Sequence, residues 1–200
     1  MTSFATTAPI AAVLAVPAGR VQLIAADRAD TTVEVRPLTA GKGRDVKAAE
    51  QTTVEYRDGV LTIQTPGGSQ IFGGGSVEVT VQLPTGSRVE VQSSAAELRA
   101  VGRLGDLAFD GANGEIKIDE AASLKLTAHQ GDVVVGRLTG PAEISVAKGD
   151  ITVAVAAGLS AALDAGTTYG RVHNSLRNDG TTDLTIRATT AYGDITARSL

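Results

Sequence analysis

The sequence predicts an all-β fold: a single-stranded β-solenoid with a β-rich cap at its amino end. Three observations support this prediction. The 200 residues contain 23 Gly and 6 Pro but only 3 Tyr, 3 Phe and no Trp, a composition that favours short strands joined by turns. Apolar and polar residues alternate with period two along much of the chain. A turn of small residues followed by such a strand recurs through the carboxyl-terminal half.

The first apolar run, residues 9–18, is rich in alanine and has the look of a signal-peptide core. No Lys or Arg precedes Arg20, however, so the basic segment that opens a signal peptide is missing. Every second residue from Ile10 to Val16 is Ile, Ala, Leu or Val, which indicates a strand. No run reaches the ~18 to 20 apolar residues that a bilayer span needs. We therefore expect a cytoplasmic protein without membrane insertion.

Residues 1–83 show strand character with a less regular phase, and we interpret them as the capping part. A hairpin is expected around Arg57–Gly59, and a short helix over Asp45–Gln51 with Asp45 as its N-cap. The segment Pro66–Ser76 has the composition of a loop. Since no long linker separates the parts, the cap and the repeats of residues 84–200 are expected to form one continuous domain.

The repeats are anchored at Ala96, Gly114, Gly131, Gly149, Gly170 and Gly193, which lie 17 to 23 residues apart. One repeat holds two short strands, whose apolar side chains need a common partner surface. Stacked coils of about 17–23 residues would bury these side chains in aliphatic ladders, with Val133 and Ile151 inward in adjacent coils. An antiparallel β-sandwich remains the alternative, because alternation alone does not reveal which strands pair.

Composition and motifs exclude several function classes. The 18 basic and 22 acidic residues give a formal net charge of −4, which argues against a nucleic-acid partner. The chain has no Cys, so disulfides and thiolate chemistry are excluded. Neither a GxSxG nucleophile elbow nor a GxxxxGK[ST] phosphate loop occurs. We expect no catalytic residues, no cofactor and no enzymatic activity.

One set of acidic residues is a candidate site, because each member follows the first residue of a repeat: Glu115, Asp132, Asp150 and Asp194. Coils in register would stack these side chains into an acidic ladder. Calcium-binding β-rolls use several carboxylates in each turn, whereas each turn here offers one. We therefore expect no metal and a structural role, with Gly supplying an unusual backbone angle and Asp bonding nearby amides. The alternative is a carbohydrate- or cation-binding protein that uses this ladder.

Several segments together resemble a known family. They are VPAGRVQLIAADRADTTVEVRP, DVKAAEQTTVEY, the central G-[DE]-[IV] repeats, YGRVHNSL and the closing TAYGDITARSL. The chain resembles, over essentially its whole length, the bacterial DUF4097 group, whose members carry the names "putative adhesin" and β-strand repeat protein. This resemblance implies a β-solenoid-like fold without catalytic residues, cofactor or substrate. We therefore expect a non-enzymatic interaction or scaffold protein whose protein partner is unknown.

The carboxyl-terminal coil offers a surface for such a partner. The repeat is still in phase at Leu200, and no helix or polar loop follows to cover it. The last coil of a stack leaves a row of unpaired backbone donors and acceptors. We expect this coil to end the stack and to pair with a second copy or with an extended segment of a partner.

Overall fold

The computed structural model describes residues 1–67 and 74–200, so residues 68–73 of the predicted loop lie outside it. Strands make up 67% of the described residues and helix 5%, which confirms the all-β prediction. The described elements are β1 Thr2–Ala5, β2 Ala11–Ala15, β3 Ala18–Ala26, β4 Asp30–Pro37, α1 Gly43–Gln51, β5 Thr53–Arg57, β6 Val60–Gln64, β7 Val77–Pro84, β8 Arg88–Asn113, β9 Ile116–Gln130, β10 Val133–Leu138, β11 Ala142–Lys148, β12 Ile151–Val155, β13 Ala161–Tyr169, β14 Val172–Ser175, β15 Leu184–Tyr192 and β16 Ile195–Ser199.

These strands form one sheet in which two parallel ladders can be followed. The first ladder runs β7, β3, β8, β9, β10, β12, β16, β14. The second ladder runs β6, β2, β8, β9, β11, β15, β13. The long strands β8 and β9 belong to both ladders. Parallel pairing throughout both ladders does not agree with the antiparallel sandwich kept as the alternative.

The core lies where the apolar faces of the two ladders meet. Val133 pairs with Ile151 in register, and both side chains are fully buried, as the strand phase predicts. From the second ladder, Leu126 pairs with Ile144, and these side chains belong to the same buried cluster. Each fully buried Val, Leu or Ile contributes about 1.5 to 3 kcal/mol relative to an exposed one. The shared core explains why the period-two pattern persists on both ladders.

The order of strands at the carboxyl end differs from the prediction. The closing strand β16 lies between β12 and β14, and β15 lies between β11 and β13. The expectation that the carboxyl-terminal coil ends the stack is therefore wrong. The outermost strands are β13 and β14, which come earlier in the chain. The sequence repeats 170–175 and 193–199 are alike, and nothing in their alternation specifies which of them pairs with β12.

The amino-terminal strands close the other end of the sheet differently. β1 and β4 are antiparallel to their neighbours, and β5 is antiparallel to β6 in the predicted hairpin around Arg57–Gly59, whereas β6 is parallel to β2. Helix α1 begins two residues earlier than predicted, and Lys42 is its N-cap. Asp45 lies in the first turn instead, where its Oδ1 accepts a hydrogen bond from the backbone N–H of Ser76 (3.0 Å). The division of the domain at residue 83 stays a prediction.

Helix α1 has nine residues. Across residues 1–67 and 74–200, no helix combines the length and the apolar character that crossing a bilayer requires.

Candidate functional site: an acidic ladder and an open terminal layer

A column of glycines determines the backbone beside the candidate acidic residues. Gly131 and Gly149 have φ angles of 141° and 149°, which L side chains rarely adopt. A Cβ on Gly131 would lie 1.9 Å from the carbonyl oxygen of Gly114. A Cβ on Gly149 would lie 2.2 Å from the carbonyl oxygen of Gly131. Because only glycine fits in these rungs, the residue after each glycine takes the same place in successive layers.

The four predicted acidic residues accordingly occupy neighbouring rungs of the first ladder, in the order Glu115, Asp132, Asp150, Asp194. We call this set the acidic ladder. The backbone N–H of Asp150 donates to Oδ1 of Asp132 (2.9 Å), and that of Asp194 donates to Oδ1 of Asp150 (2.7 Å). Oδ1 of Asp194 accepts from the backbone N–H of Arg171 (2.8 Å). Three of the four carboxylates thus join one layer to the next.

Basic side chains border the acidic ladder. Lys117 Nζ lies 2.8 Å from a carboxylate oxygen of Glu115. One rung further on, Arg20 Nε donates to Glu97 (3.1 Å), and this hydrogen bond raises the pKa of Arg20. Arg171 occupies the rung beyond Asp194 at the opposite end. The row of like charges is therefore compensated by backbone donors within it and by cations at its ends.

This geometry defines what the acidic ladder can do chemically. An aspartate that accepts a backbone N–H is held in one orientation and has part of its acceptor capacity occupied. Within the residues that the structure describes, no three His, Asp or Glu side chains are grouped to hold a metal ion. The arrangement favours alignment of the layers over ligation.

The outermost strands, β13 and β14, form what we call the terminal layer. Among the described residues, β13 pairs only with β15, and β14 pairs only with β16. Val172 continues the buried rung of Ile195 and Ile151, yet 42% of it is exposed, whereas both isoleucines are buried. Tyr169 is 64% exposed and stacks on Tyr192, with ring centroids 4.9 Å apart and planes 8° from parallel.

Sequence reasoning missed this aromatic pair. Composition shows few aromatic residues and no cluster of them, so a stacked pair is not expected. A signal was nevertheless present, since Tyr169-Gly170 and Tyr192-Gly193 are the same dipeptide at the same point of two repeats. In-register repeats place equivalent residues on one ladder, and these two then stack.

The outer face of the second ladder carries a groove of about 460 Å³. Asp106 organises one side of it, because it lies 3.2 Å from Arg88 Nε and accepts a hydrogen bond from Ser123 Oγ (2.7 Å). At the other side, Arg187 Nε donates to Asp164 (3.1 Å). Arg88, Asp106 and Arg187 are thus paired along the ladder, and the mixture of charges in this groove is typical of a solvated surface.

Comparisons with solved structures return proteins that cover nearly the whole chain at TM-scores below 0.5. One is named "putative cell adhesion protein", from Clostridium sporogenes, with 12% identity, a TM-score of 0.45, and coverage of 100% of this chain and 98% of that one. A "putative adhesin" from Bacteroides fragilis has 11% identity, a TM-score of 0.48, and coverage of 98% and 95%. A "putative lipid binding protein" from Parabacteroides distasonis has 13% identity, a TM-score of 0.41, and coverage of 96% and 95%. Similarity at this level transfers no function to this chain.

No curated protein matches the sequence. The family model described as Toastrack DUF4097 matches residues 100–199, which is half of the chain and includes the acidic ladder and the terminal layer. It agrees with the resemblance that the repeats and the closing TAYGDITARSL carry. The chain therefore belongs to the Toastrack DUF4097 family.

Proposed function

We propose that this protein is a non-enzymatic interaction module, a β-solenoid whose terminal layer receives a strand-forming segment of another protein. The observation that carries the proposal is that, within the described residues, β13 and β14 each pair with a strand on one side only; at the start of β13, the backbone N–H of Ala161 donates to the carbonyl oxygen of Arg177. Edge strands that keep free backbone donors and acceptors add further strands readily. Val172 and Tyr169 add apolar surface at the same end.

The solenoid itself is part of the proposal. The two parallel ladders would be two walls of a coil of about 17–23 residues, joined at the glycine column and closed around one core. The shared buried cluster and the register of Val133 with both Ile116 and Ile151 support this interpretation. A coil of this type presents a complete edge at its end, which is the surface that the interaction requires.

The acidic ladder supports a non-enzymatic role in a second way. Its aspartates each accept a backbone N–H group, so they align layers and are held in one orientation. Calorimetric titration with calcium and with a panel of cell-wall glycans should therefore give no heat. A saturable heat that disappears in Asp150→Asn would overturn this assignment in favour of ligand binding at the ladder.

The interaction itself is tested by comparing edge variants in the native host. Val172→Asp places a charge on the terminal layer, where an added strand would have to cover it. Val134→Asp is the matched control, because Val134 lies on the same ladder in the interior strand β10 and has a similar exposure of 38%. Quantitative co-purification should lose a partner with Val172→Asp and keep it with Val134→Asp. Equal recovery of all proteins with both variants would reject the proposal.

We also propose that the protein acts in the cytoplasm. The apolar run 9–18 supports this proposal, because its inward residues Leu14 and Val16 are buried in the core and would be lost on cleavage as a leader. Mass spectrometry of the native amino terminus tests the point. A mature chain that begins near Ala18 would contradict it.

A further inference from the structure

We propose that the segment received by the terminal layer carries a basic, an aromatic, an acidic and an aliphatic residue at positions j, j+5, j+7 and j+8. This inference rests on the proposed function and specifies the chemistry of its partner. It follows from four residues of the terminal layer at which a row of side chains ends: Asp164, Tyr169, Arg171 and Val172. Each position is the last member of a row whose chemistry predicts the next member.

The basic residue follows from an alternating charge row on the second ladder. Lys125, Glu143, Arg187 and Asp164 are successive neighbours on its outer face, so the charge changes sign at each rung. Arg187 Nε lies 3.1 Å from Asp164, which shows that adjacent rungs are close enough for an ion pair. Opposite charges across strands are stabilising and like charges are not. The residue that pairs with Asp164 from outside should therefore be Lys or Arg.

The aromatic residue follows from the tyrosine stack. Tyr169 covers Tyr192 with nearly parallel planes at 4.9 Å, close to the spacing of neighbouring strands, about 4.8 Å. One face of the Tyr169 ring is engaged in this stack, and the side chain remains 64% exposed. An added strand in register would bring its residue j+5 onto the other face. A Tyr, Phe or Trp at this position continues the stack.

The acidic and aliphatic residues follow from the first ladder. The row that contains Asp194 ends at Arg171, so a carboxylate at the next position of this row would lie beside a cation. The row of Ile195 ends at Val172, which is 42% exposed, whereas the inner members of this row are buried. A carboxylate at j+7 and a Val, Ile or Leu at j+8 would complete these two rows.

The chain contains one segment that already satisfies this pattern. Arg187, Tyr192, Asp194 and Ile195 have the same spacing, and they are the residues that contact the terminal layer from its inner side. A synthetic peptide of residues 184–200 therefore carries the partner chemistry and serves as the probe. The intact chain is used as the receptor, so that its own β15 and β16 remain in place.

The experiment measures peptide binding together with hydrogen exchange. We expect saturable binding and slower exchange of the backbone amides of residues 161–175. A peptide of the same composition with these four positions permuted should bind at least about tenfold more weakly, because no row is completed. Val172→Asp in the receptor should weaken binding of the parent peptide by about tenfold or more. Val134→Asp in the receptor should leave it unchanged.

A charge exchange tests the position of the segment. Asp164→Lys in the receptor should weaken binding of the parent peptide about threefold. A peptide with Glu in place of Arg187 should restore binding to this variant. Failure of the exchanged pair to restore binding would overturn the register. Equal binding of parent and permuted peptides would overturn the pattern, and the proposed function would still stand if Val172→Asp loses a native partner. Self-association of the intact chain that Val172→Asp abolishes would assign the layer to a second copy and overturn the inference.

Discussion

The two ends of the stack differ in whether their edge strands are covered. At the amino end, antiparallel strands fold back on both ladders, and Phe4 of β1 contacts Tyr56 of β5 with ring centroids 5.4 Å apart. At the opposite end, the parallel order simply stops at β13 and β14. A hairpin provides its own closing strand, whereas a parallel repeat needs another layer for closure. Uncovered parallel edge strands therefore occur at the end formed by β13 and β14, and antiparallel strands cover the other end.

The greatest change in the free energy of unfolding is expected when an inner residue of a buried row is replaced, compared with the outermost residue of the same row. Val133→Asp should destabilise the protein by about 4 kcal/mol or more, because it places a carboxylate in the core without a partner. Val172→Asp, at the open end of the same row, should cost less than about 1 kcal/mol, since its carboxylate stays in contact with water. Urea denaturation of both variants measures the difference. Equal losses would show that the terminal layer is as closed as the interior.

Glycines provide the next comparison. Gly131→Ala should destabilise by about 2 kcal/mol or more, because its φ is 141° and the new Cβ would meet a carbonyl oxygen at 1.9 Å. Gly166→Ala in the terminal layer is the matched control, since its Cβ would meet nothing within 4 Å. That variant should be neutral or gain up to about 1 kcal/mol. Thermal unfolding of the pair gives the answer, and a tolerated Gly131→Ala would refute the role given to the glycine column.

A smaller effect is expected at Ser93. Its hydroxyl oxygen is buried and has no hydrogen-bond partner among the described residues. Ser93→Ala removes an unsatisfied polar group and should stabilise the protein by about 1 kcal/mol. The neighbouring Ser94 is exposed, so Ser94→Ala should change the free energy of unfolding by less than about 0.5 kcal/mol. Destabilisation by Ser93→Ala would mean that the hydroxyl has a partner after all.

The smallest effects concern two aspartates, the half-buried Asp30 and the exposed Asp179. The hydrogen bond from Arg28 lowers the pKa of Asp30, and the hydrogen bond from Thr181 lowers the pKa of Asp179. A carboxyl whose pKa is lower in the folded state stabilises the fold above its unfolded pKa, and this contribution is lost as the pH falls through the folded value. Asp30→Asn and Asp179→Asn should therefore each flatten the pH dependence of stability below about pH 4. Profiles identical to the parent protein would contradict the assignment.

The sequence predicts structural features that depend on neighbouring residues, such as side-chain burial and tight turns. The burial of Val133 and Ile151 in adjacent strands could be predicted, because alternation decides which face each side chain takes. The hairpin at Arg57–Gly59 could also be predicted, since Asp58 and Gly59 both have positive φ in a turn of the type that Asp-Gly favours. The order of the strands could not be predicted from the sequence. Repeats with equal patterns fit β12 equally well, and the choice depends on connections that alternation does not describe.

The candidate site follows the same division. Sequence spacing places Glu115, Asp132 and Asp150 after equivalent glycines, so their stacking is readable once register is assumed. The neighbour beyond Asp150 is Asp194, and Arg171 comes only after it, in the reverse of chain order. That reversal also makes Tyr169, and not Tyr192, the outer member of the aromatic stack. Long-range pairing therefore determined what local pattern left open.

The position of β15 and β16 between earlier strands has a consequence for synthesis of the protein. A ribosome releases residues 161–175 before residues 184–200, yet the earlier segment finds its neighbouring strands only in the later one. The last two layers must then assemble together once residues 184–200 have emerged, while the preceding strands can pair earlier. A chain that ends at residue 183 should lack both layers, and hydrogen exchange of residues 161–175 in that chain measures this directly. A stop codon directly after residue 183 would thus remove the whole receiving surface.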